Sequence, residues 1–413
     1  MQTKLRWGLK KLMRKLWVRA SAIGALGIAA ATLALAADRL VPLTIPALPS
    51  NAVGTILTII ASSMLSVTTF SLSVVTAAYS SATSNVTPRA TQLIMEDRVT
   101  QNTLATFLGS FLFSLVGLIV LQTGAYGEQG RAVLFLFTLG VVALIVAMLL
   151  RWIGHLNGLG RVADTTSRVE AATWRAMEGR LKSPWLGGVP LTAQNEIRNG
   201  LALRSGRTGY IQHVDVSALQ RLAEKHDLHI QLADLPGSFV HKGEAVAHIR
   251  GGADAEICED LFKAFIVDHQ RSFEQDPRFG LIVLGEIASR ALSPGINDPG
   301  TAIDVTGRVV RLLLDWAIKQ QEMEEAAPIH DRLYIPSLLA EDMFDDVFTS
   351  ISRDGGNTLS VQIRLQKALA ALATAPHPDY RALATRHSRE ALARAESAMS
   401  FEGDIKRLRD MAL

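Results

Sequence analysis

Between Thr55 and Thr83 the chain places Thr55, Thr58, Ser62, Ser66, Thr69, Ser73, Thr76, Ser80 and Thr83 three or four residues apart, the spacing that lines up one face of an α-helix. Hydroxyl oxygens in such a row replace part of an ion's hydration shell where copies of the helix surround an aqueous path. The same row also suits a close-packing seam of small side chains between helices. At 1.5 Å per residue it spans roughly 42 Å, the thickness of a bilayer with its headgroups, and that length favours the path. No acidic or basic residue lies within it, so it carries no fixed charge for selecting ions. A charge follows only in Ser84-Asn85-Val86-Thr87-Pro88-Arg89. There Arg89 reads either as a basic ring at the cytoplasmic exit of an oligomer, favouring anions, or as an ordinary interfacial anchor. Leu57, Ile60, Leu65, Leu72 and Val75 are expected on the opposite side of the helix.

A second candidate is the loop Ala291-Leu292-Ser293-Pro294-Gly295-Ile296-Asn297-Asp298-Pro299-Gly300-Thr301. Asp298 can cap a new helix with Pro299 at its first position. Asn297, Thr301 and Asp304, with Asp298, are then candidates for holding an ion or small ligand at the helix start. His226, His229, His241 and His248 fall close together beside Asp227, in a spacing that matches no standard zinc motif. Ser293 lacks the glycine-framed turn and histidine partner of a hydrolase nucleophile. With no nucleophile, metal set or phosphate loop in view, the expectation is a protein that is not an enzyme and uses no cofactor or metal.

The elements that must position these residues are membrane spans. The 413 residues are 48% hydrophobic, and four runs reach the length of a transmembrane helix: Ala20 to Ala37, Val53 to Ala82, Thr103 to Leu121 and Ala132 to Leu150. Lys4, Arg6, Lys10, Lys11, Arg14, Lys15 and Arg19 precede the first run, and Arg151, Arg161, Arg168 and Arg175 follow the fourth. Both termini are therefore expected on the cytoplasmic side of the membrane. Ala34-Leu35-Ala36 resembles a signal-peptide cleavage site, but the apolar run before it is longer than an ordinary signal core and is read as a span. The basic residues alternate with Leu5, Leu9, Leu12 and Leu16, an interfacial helix suited to anionic inner-leaflet lipid rather than to nucleic acid. Outside the hydroxyl row the spans are rich in Ala, Gly and Leu and carry no Asp, Glu, Lys or His, which argues against a coupling-ion transporter. A single cysteine, Cys258, excludes an intramolecular disulfide.

The expected fold class is a four-helix membrane part followed by a cytoplasmic α+β domain. The divisions are 1–19, a basic interfacial segment; 20–152, the transmembrane domain; 153–190, a membrane-proximal helix and linker; 191–252, a β-rich module; and 253–413, a helical domain. In the β-rich module the pattern predicts strands over 210–216, 229–235, 238–240 and 245–249, and a helix capped by Ser217. The turns Pro236-Gly237 and Lys242-Gly243-Glu244 suggest a hairpin like that of small barrel-sandwich domains. Helices are predicted from Phe279 to Leu292 and, beyond Leu338, in a tail broken near Gly355 and Pro376.

The run SSMLSVTTFSLSVVTAAYSSATSNVTPR, the following DRVTQNTLATFLGSFLFSLVGL, the PGSFVHKGE hairpin and the ALSPGINDPGTA loop together resemble the bacterial predicted-membrane-protein family catalogued as domain of unknown function 2254. The resemblance extends over almost the whole chain. One departure is Thr87-Pro88-Arg89, where relatives often have Ser-Pro-Arg. The resemblance implies an inner-membrane protein with a cytoplasmic domain, and it brings no activity. From the residues, the leading expectation is a homo-oligomeric ion channel or pore lined by the hydroxyl row, with self and ions as partners. The alternative is a non-conducting membrane-anchored scaffold or sensor in which the row is a seam.

Overall fold

The computed structural model describes residues 50–95, 97–323 and 327–413, with a few positions between 18 and 32. The expected first span and the basic segment before it lie largely outside the described residues. Two compact units are present, one holding the described residues up to Thr83 together with Thr91–Asp164, the other Ser84–Ala90 and Thr165–Leu413.

In the first unit, α1 (Ser50–Asn85), α3 (Arg98–Gln122) and α4 (Glu128–Leu156) follow the long uncharged runs, with a short α2 (Thr91–Met95) between α1 and α3. Among the described residues three helices are long and apolar enough to cross a membrane. Pro88 follows the end of α1, where a continued helix would lose a hydrogen bond and meet the ring. Asp97 caps α3, its carboxylate accepting from the Thr100 backbone N–H at 2.8 Å. The helices meet through Val53 and Leu57 of α1, Phe113 of α3 and Leu134 of α4, and again through Ile60, Met64 and Val75 against Phe107, Ile145 and Trp152.

The second unit is α+β. α5 (Val162–Lys182) is followed by a tight turn that enters β1 (Gly188–Pro190). In that turn Trp185 and Leu186 both take left-handed backbone angles, held by burial of their side chains against the core and by the Trp185 indole donating to Ser337 at 3.1 Å. Then come β2 (Leu201–Arg204), β3 (Gly209–Val214), α6 (Val216–Lys225), β4 (His229–Leu232), β5 (Phe239–Val240), β6 (Ala245–Arg250), α7 (Ala255–Phe262), β7 (Phe265–Asp268), α8 (Pro277–Ala291), α9 (Pro299–Glu322), β8 (His330–Ile335), α10 (Ala340–Asp354), α11 (Leu359–Leu372), α12 (Tyr380–Ala398) and α13 (Glu402–Arg409).

The strands form two open sheets, in the orders β1-β8-β4-β6-β2 and β5-β3-β7. No closed barrel is present among the described residues. The expected hairpin is divided: β6 pairs with β4 and β2, whereas β5 pairs with β3 in the other sheet. Ile211, Val214, Leu219, Ile230, Val246, Phe265 and Leu333 are among the side chains that fill the core of this region. The N-cap of α6 is Asp215, accepting from the Ala218 N–H at 3.0 Å, and not Ser217, which lies inside the helix. A carboxylate three residues before a free N–H reaches it without distorting the turn.

Candidate functional site

α1 carries two parallel rows. Val53, Leu57, Ile60, Met64, Ser71, Val75, Ala78 and Ala82 are buried. All nine hydroxyl residues of the row from Thr55 to Thr83 are exposed. Two residues along a helix is a rotation of about 200°, so Ser62 stands nearly opposite Ile60 and Ser66 nearly opposite Met64. Leu65 and Leu72, expected on the packed side, are instead about half exposed. Each precedes a hydroxyl by one residue, about 100° of rotation, and so flanks the row. Ile59 and Phe70 share the exposed side.

Thr58, Ser62, Ser66, Thr69, Ser73, Thr76 and Thr83 each donate to the carbonyl four residues earlier, at 2.8–3.1 Å. The hydroxyl hydrogens are thereby committed to the helix's own backbone, and what each oxygen presents outward is a lone pair.

The other spans are arranged the opposite way. In α3 the polar and small residues Thr103, Thr106, Ser110 and Ser114 are buried, with Gly109 and Gly117 on the same side, while Leu115 and Ile119 are exposed. In α4 Leu136, Phe137, Leu139, Leu144, Val146, Leu150 and Ile153 are exposed. Bulky apolar side chains outward and small ones inward is the arrangement lipid favours. α1 departs from it.

Arg89, beyond the end of α1, donates to Glu286 of α8 at 2.6 Å. The buried Thr87 hydroxyl donates to the other oxygen of the same carboxylate at 3.0 Å. The positive charge expected at the exit is thus matched by an acid from the same unit.

The loop before α9 forms the cap read from the sequence. Asp298 accepts from the Thr301 N–H at 3.1 Å and from its hydroxyl at 2.6 Å, and these two bonds hold its carboxyl below the usual carboxylate range. Asn297 takes a left-handed φ of 51°, with its N–H bonded to Ser293. Asp304 turns to Arg308 at 2.7 Å, and Arg308 also donates to Glu170 of α5 at 2.6 Å. Asp298 and Asp304 therefore already serve protein partners.

His229 stacks on Tyr334, His241 lies 3.6 Å from Glu244, and His248 sits on β6 opposite Ala202 and Gln231. Among the described residues no histidine, cysteine or carboxylate cluster of three could hold a metal.

Sequence reasoning missed one polar centre. Just beyond the ends of the predicted spans, which themselves carry no Asp, Glu, Lys or His, Asp97 and His155 pair at 2.9 Å, both largely buried, with Thr100 donating its hydroxyl to Asp97 at 2.8 Å. The signals were the Asp97-x-x-Thr100 cap and a histidine in the last turn of α4. Both fall outside the apolar windows, where a search confined to span interiors does not reach.

A family model described as "Predicted membrane protein (DUF2254)" matches residues 13–371. Uncharacterized proteins of Mycobacterium bovis (Mb1321c) and Mycobacterium tuberculosis (Rv1290c) are each 25% identical over 267 residues, covering 62% of this chain and 51% of the relative. The chain thus spans about half the length of these curated relatives. No solved structure matches it.

Proposed function

The chain belongs to that family of predicted membrane proteins, and from this premise we infer that it is a homo-oligomeric ion channel of the bacterial inner membrane, with α1 lining the conduit and the α+β unit serving assembly or gating. The observation that carries the reading is the outward placement of all nine hydroxyls on a helix whose companion spans turn apolar side chains outward. A single chain has no room for a lumen lined by one helix, so the conduit requires copies around an axis. Because the hydroxyl hydrogens of seven members are bonded to backbone carbonyls, the wall offers oxygen lone pairs, which solvate cations better than anions. The Arg89–Glu286 pair removes the reason to expect anion preference at the exit. The reading assigns the protein no enzymatic role and takes anionic inner-leaflet lipid as its surroundings, with both termini cytoplasmic.

The test is assembly together with conduction. Native mass measurement in lipid nanodiscs should give an oligomer, and reconstituted protein should pass cations in a manner lost in the double variant Ser66→Leu, Ser73→Leu. A monodisperse monomer would refute the channel. An oligomer that passes no current would turn the row into a seam between copies, the scaffold alternative.

A further inference from the structure

Two turns of the α+β unit, 205–208 between β2 and β3 and 241–244 between β5 and β6, are fastened to each other. The Ser205 N–H donates to the Glu244 carbonyl at 2.7 Å, and the Gly243 N–H donates back to the Ser205 carbonyl at 2.8 Å. The Lys242 N–H adds a bond to the Thr208 hydroxyl at 3.0 Å. Gly243 takes a left-handed φ of 90°, which a side chain would strain. The two turns form one built tip.

That tip is basic. Arg204, Arg207, His241 and Lys242 are exposed, and Arg204 donates to the Gly243 carbonyl at 2.7 Å, which ties its guanidinium to the second turn. The single acid within the turns, Glu244, is engaged by the His241 N–H at 2.8 Å. Three permanent positive charges therefore stand against one negative. Asp268, in register with Tyr210 below the turns, turns its carboxylate to the His269 N–H at 2.8 Å.

The tip also carries an uncovered ring. Phe239, on the edge strand β5, is 56% exposed and stands two residues before the second turn. It meets the Tyr210 ring edge-on, with centroids 5.2 Å apart at 71°. An aromatic ring left in water beside cations matches the chemistry of a membrane surface, where rings settle at headgroup level and Lys and Arg meet lipid phosphates.

We propose that this tip docks on an anionic phospholipid surface, with Phe239 entering at headgroup level and Arg204, Arg207 and Lys242 meeting phosphates. Lipid is favoured over an acidic protein because the α+β unit is continuous in sequence with helices long and apolar enough to cross a membrane. A bilayer is thereby held at high effective concentration. This goes beyond the channel reading and does not depend on conduction.

The experiment uses the full chain in nanodiscs, with Cys258→Ser and a polarity-sensitive fluorophore on His241→Cys. Nanodiscs offer the same lipid on both faces, so the outcome is independent of topology. With phosphatidylglycerol present, the emission should shift to the blue and be quenched by headgroup spin-labelled lipid. In phosphatidylcholine alone, or in 1 M salt, where the Debye length falls to about 3 Å, both signals should be lost. Arg207→Gln with Lys242→Gln should lower the docked-to-free ratio roughly 25-fold, at about 1 kcal/mol for each basic residue, and Phe239→Ser should lower it too. A probe on Ala382→Cys, at an exposed position of α12, should not respond. No quenching with phosphatidylglycerol, or an undiminished signal in the Arg207, Lys242 double variant, would overturn the proposal. A blue shift of equal size in phosphatidylcholine or detergent would also overturn it, assigning the tip to a protein contact.

Discussion

α1 and α3 carry the same chemistry at the same spacing and use it in opposite directions. In α3, Thr103, Thr106, Ser110 and Ser114 are buried and let neighbouring backbones approach; a Cβ on Gly117 would already touch Leu57 of α1 at 3.4 Å. In α1 the hydroxyls are exposed, and the row behind them, Val53 to Ala82, does the packing. A small hydroxyl side chain is therefore not a signal for one environment. What decides is the residue half a turn away. Opposite the α3 row stand Leu115 and Ile119, which suit lipid. Opposite the α1 row stand Leu57, Ile60 and Val75, which pack against α3 and α4.

The largest predicted effect separates the two rows directly. Ser114→Leu forces a bulky side chain into a filled seam and should destabilise the membrane unit by about 1–3 kcal/mol, read from denaturant unfolding in detergent micelles. Ser73→Leu should change that unfolding by no more than about 0.5 kcal/mol, as outward substitutions do, while abolishing conduction. Equal destabilisation by the two would erase the distinction between the rows.

The same pairing of Asp with a Thr three residues on recurs at Asp97-Thr100 and Asp298-Thr301, one in each unit. It allows the comparison to be sharpened outside the membrane. Asp298→Ala should cost about 1 kcal/mol through the lost cap, measured by thermal unfolding. Asp298→Asn should cost little near neutral pH. Because hydrogen bonding lowers the Asp298 carboxyl in the folded chain, its contribution is present above the unfolded carboxylate value of about 3.9 and fades as pH falls through the lower folded value. The Asn variant should lack that acid-limb loss.

The smallest effect on stability is expected from Glu286→Gln. A partly exposed ion pair contributes about 0–1 kcal/mol, so the fold should tolerate its loss. Arg89 would then carry an unmatched charge beyond the end of α1, and the reversal potential under a salt gradient should move toward anions. An unchanged reversal potential would remove Arg89 from any account of selectivity.

Much of this molecule was legible because the signal was local. Long uncharged runs gave α1, α3 and α4, and Asp298-Pro299 gave the start of α9. Gly355 and Pro376 gave the breaks in the helical tail. What was not legible depends on distant partners. β8 was absent from the sequence reading, yet it sits between β1 and β4, with Tyr334 in register with Val189 and Leu333 with Ile230. Nothing in the six residues from His330 to Ile335 states that their partners lie so far back in the chain. The Asp97–His155 pair is hidden in the same way, since it joins the start of one helix to the end of the next. The periodicity of the hydroxyl row was plain. Its outward direction was not, because the flanking Leu65 and Leu72 made the helix look packed on a side that the structure leaves exposed.

The most direct measurement is thiol labelling of full-length protein in bilayers, with Cys258 first changed to Ser. A water-soluble thiol reagent reacts with thiolate, which scarcely forms in lipid or in a dry seam. Three variants place the probe on the hydroxyl row (Ser73→Cys), on the outward apolar face of α4 (Leu136→Cys) and on the packed side of α1 (Val75→Cys). Reaction of Ser73→Cys alone, with loss of conductance on labelling, is the result expected if α1 faces water in an assembled conduit. Protection of all three, or reaction of Leu136→Cys while Ser73→Cys stays protected, would contradict it.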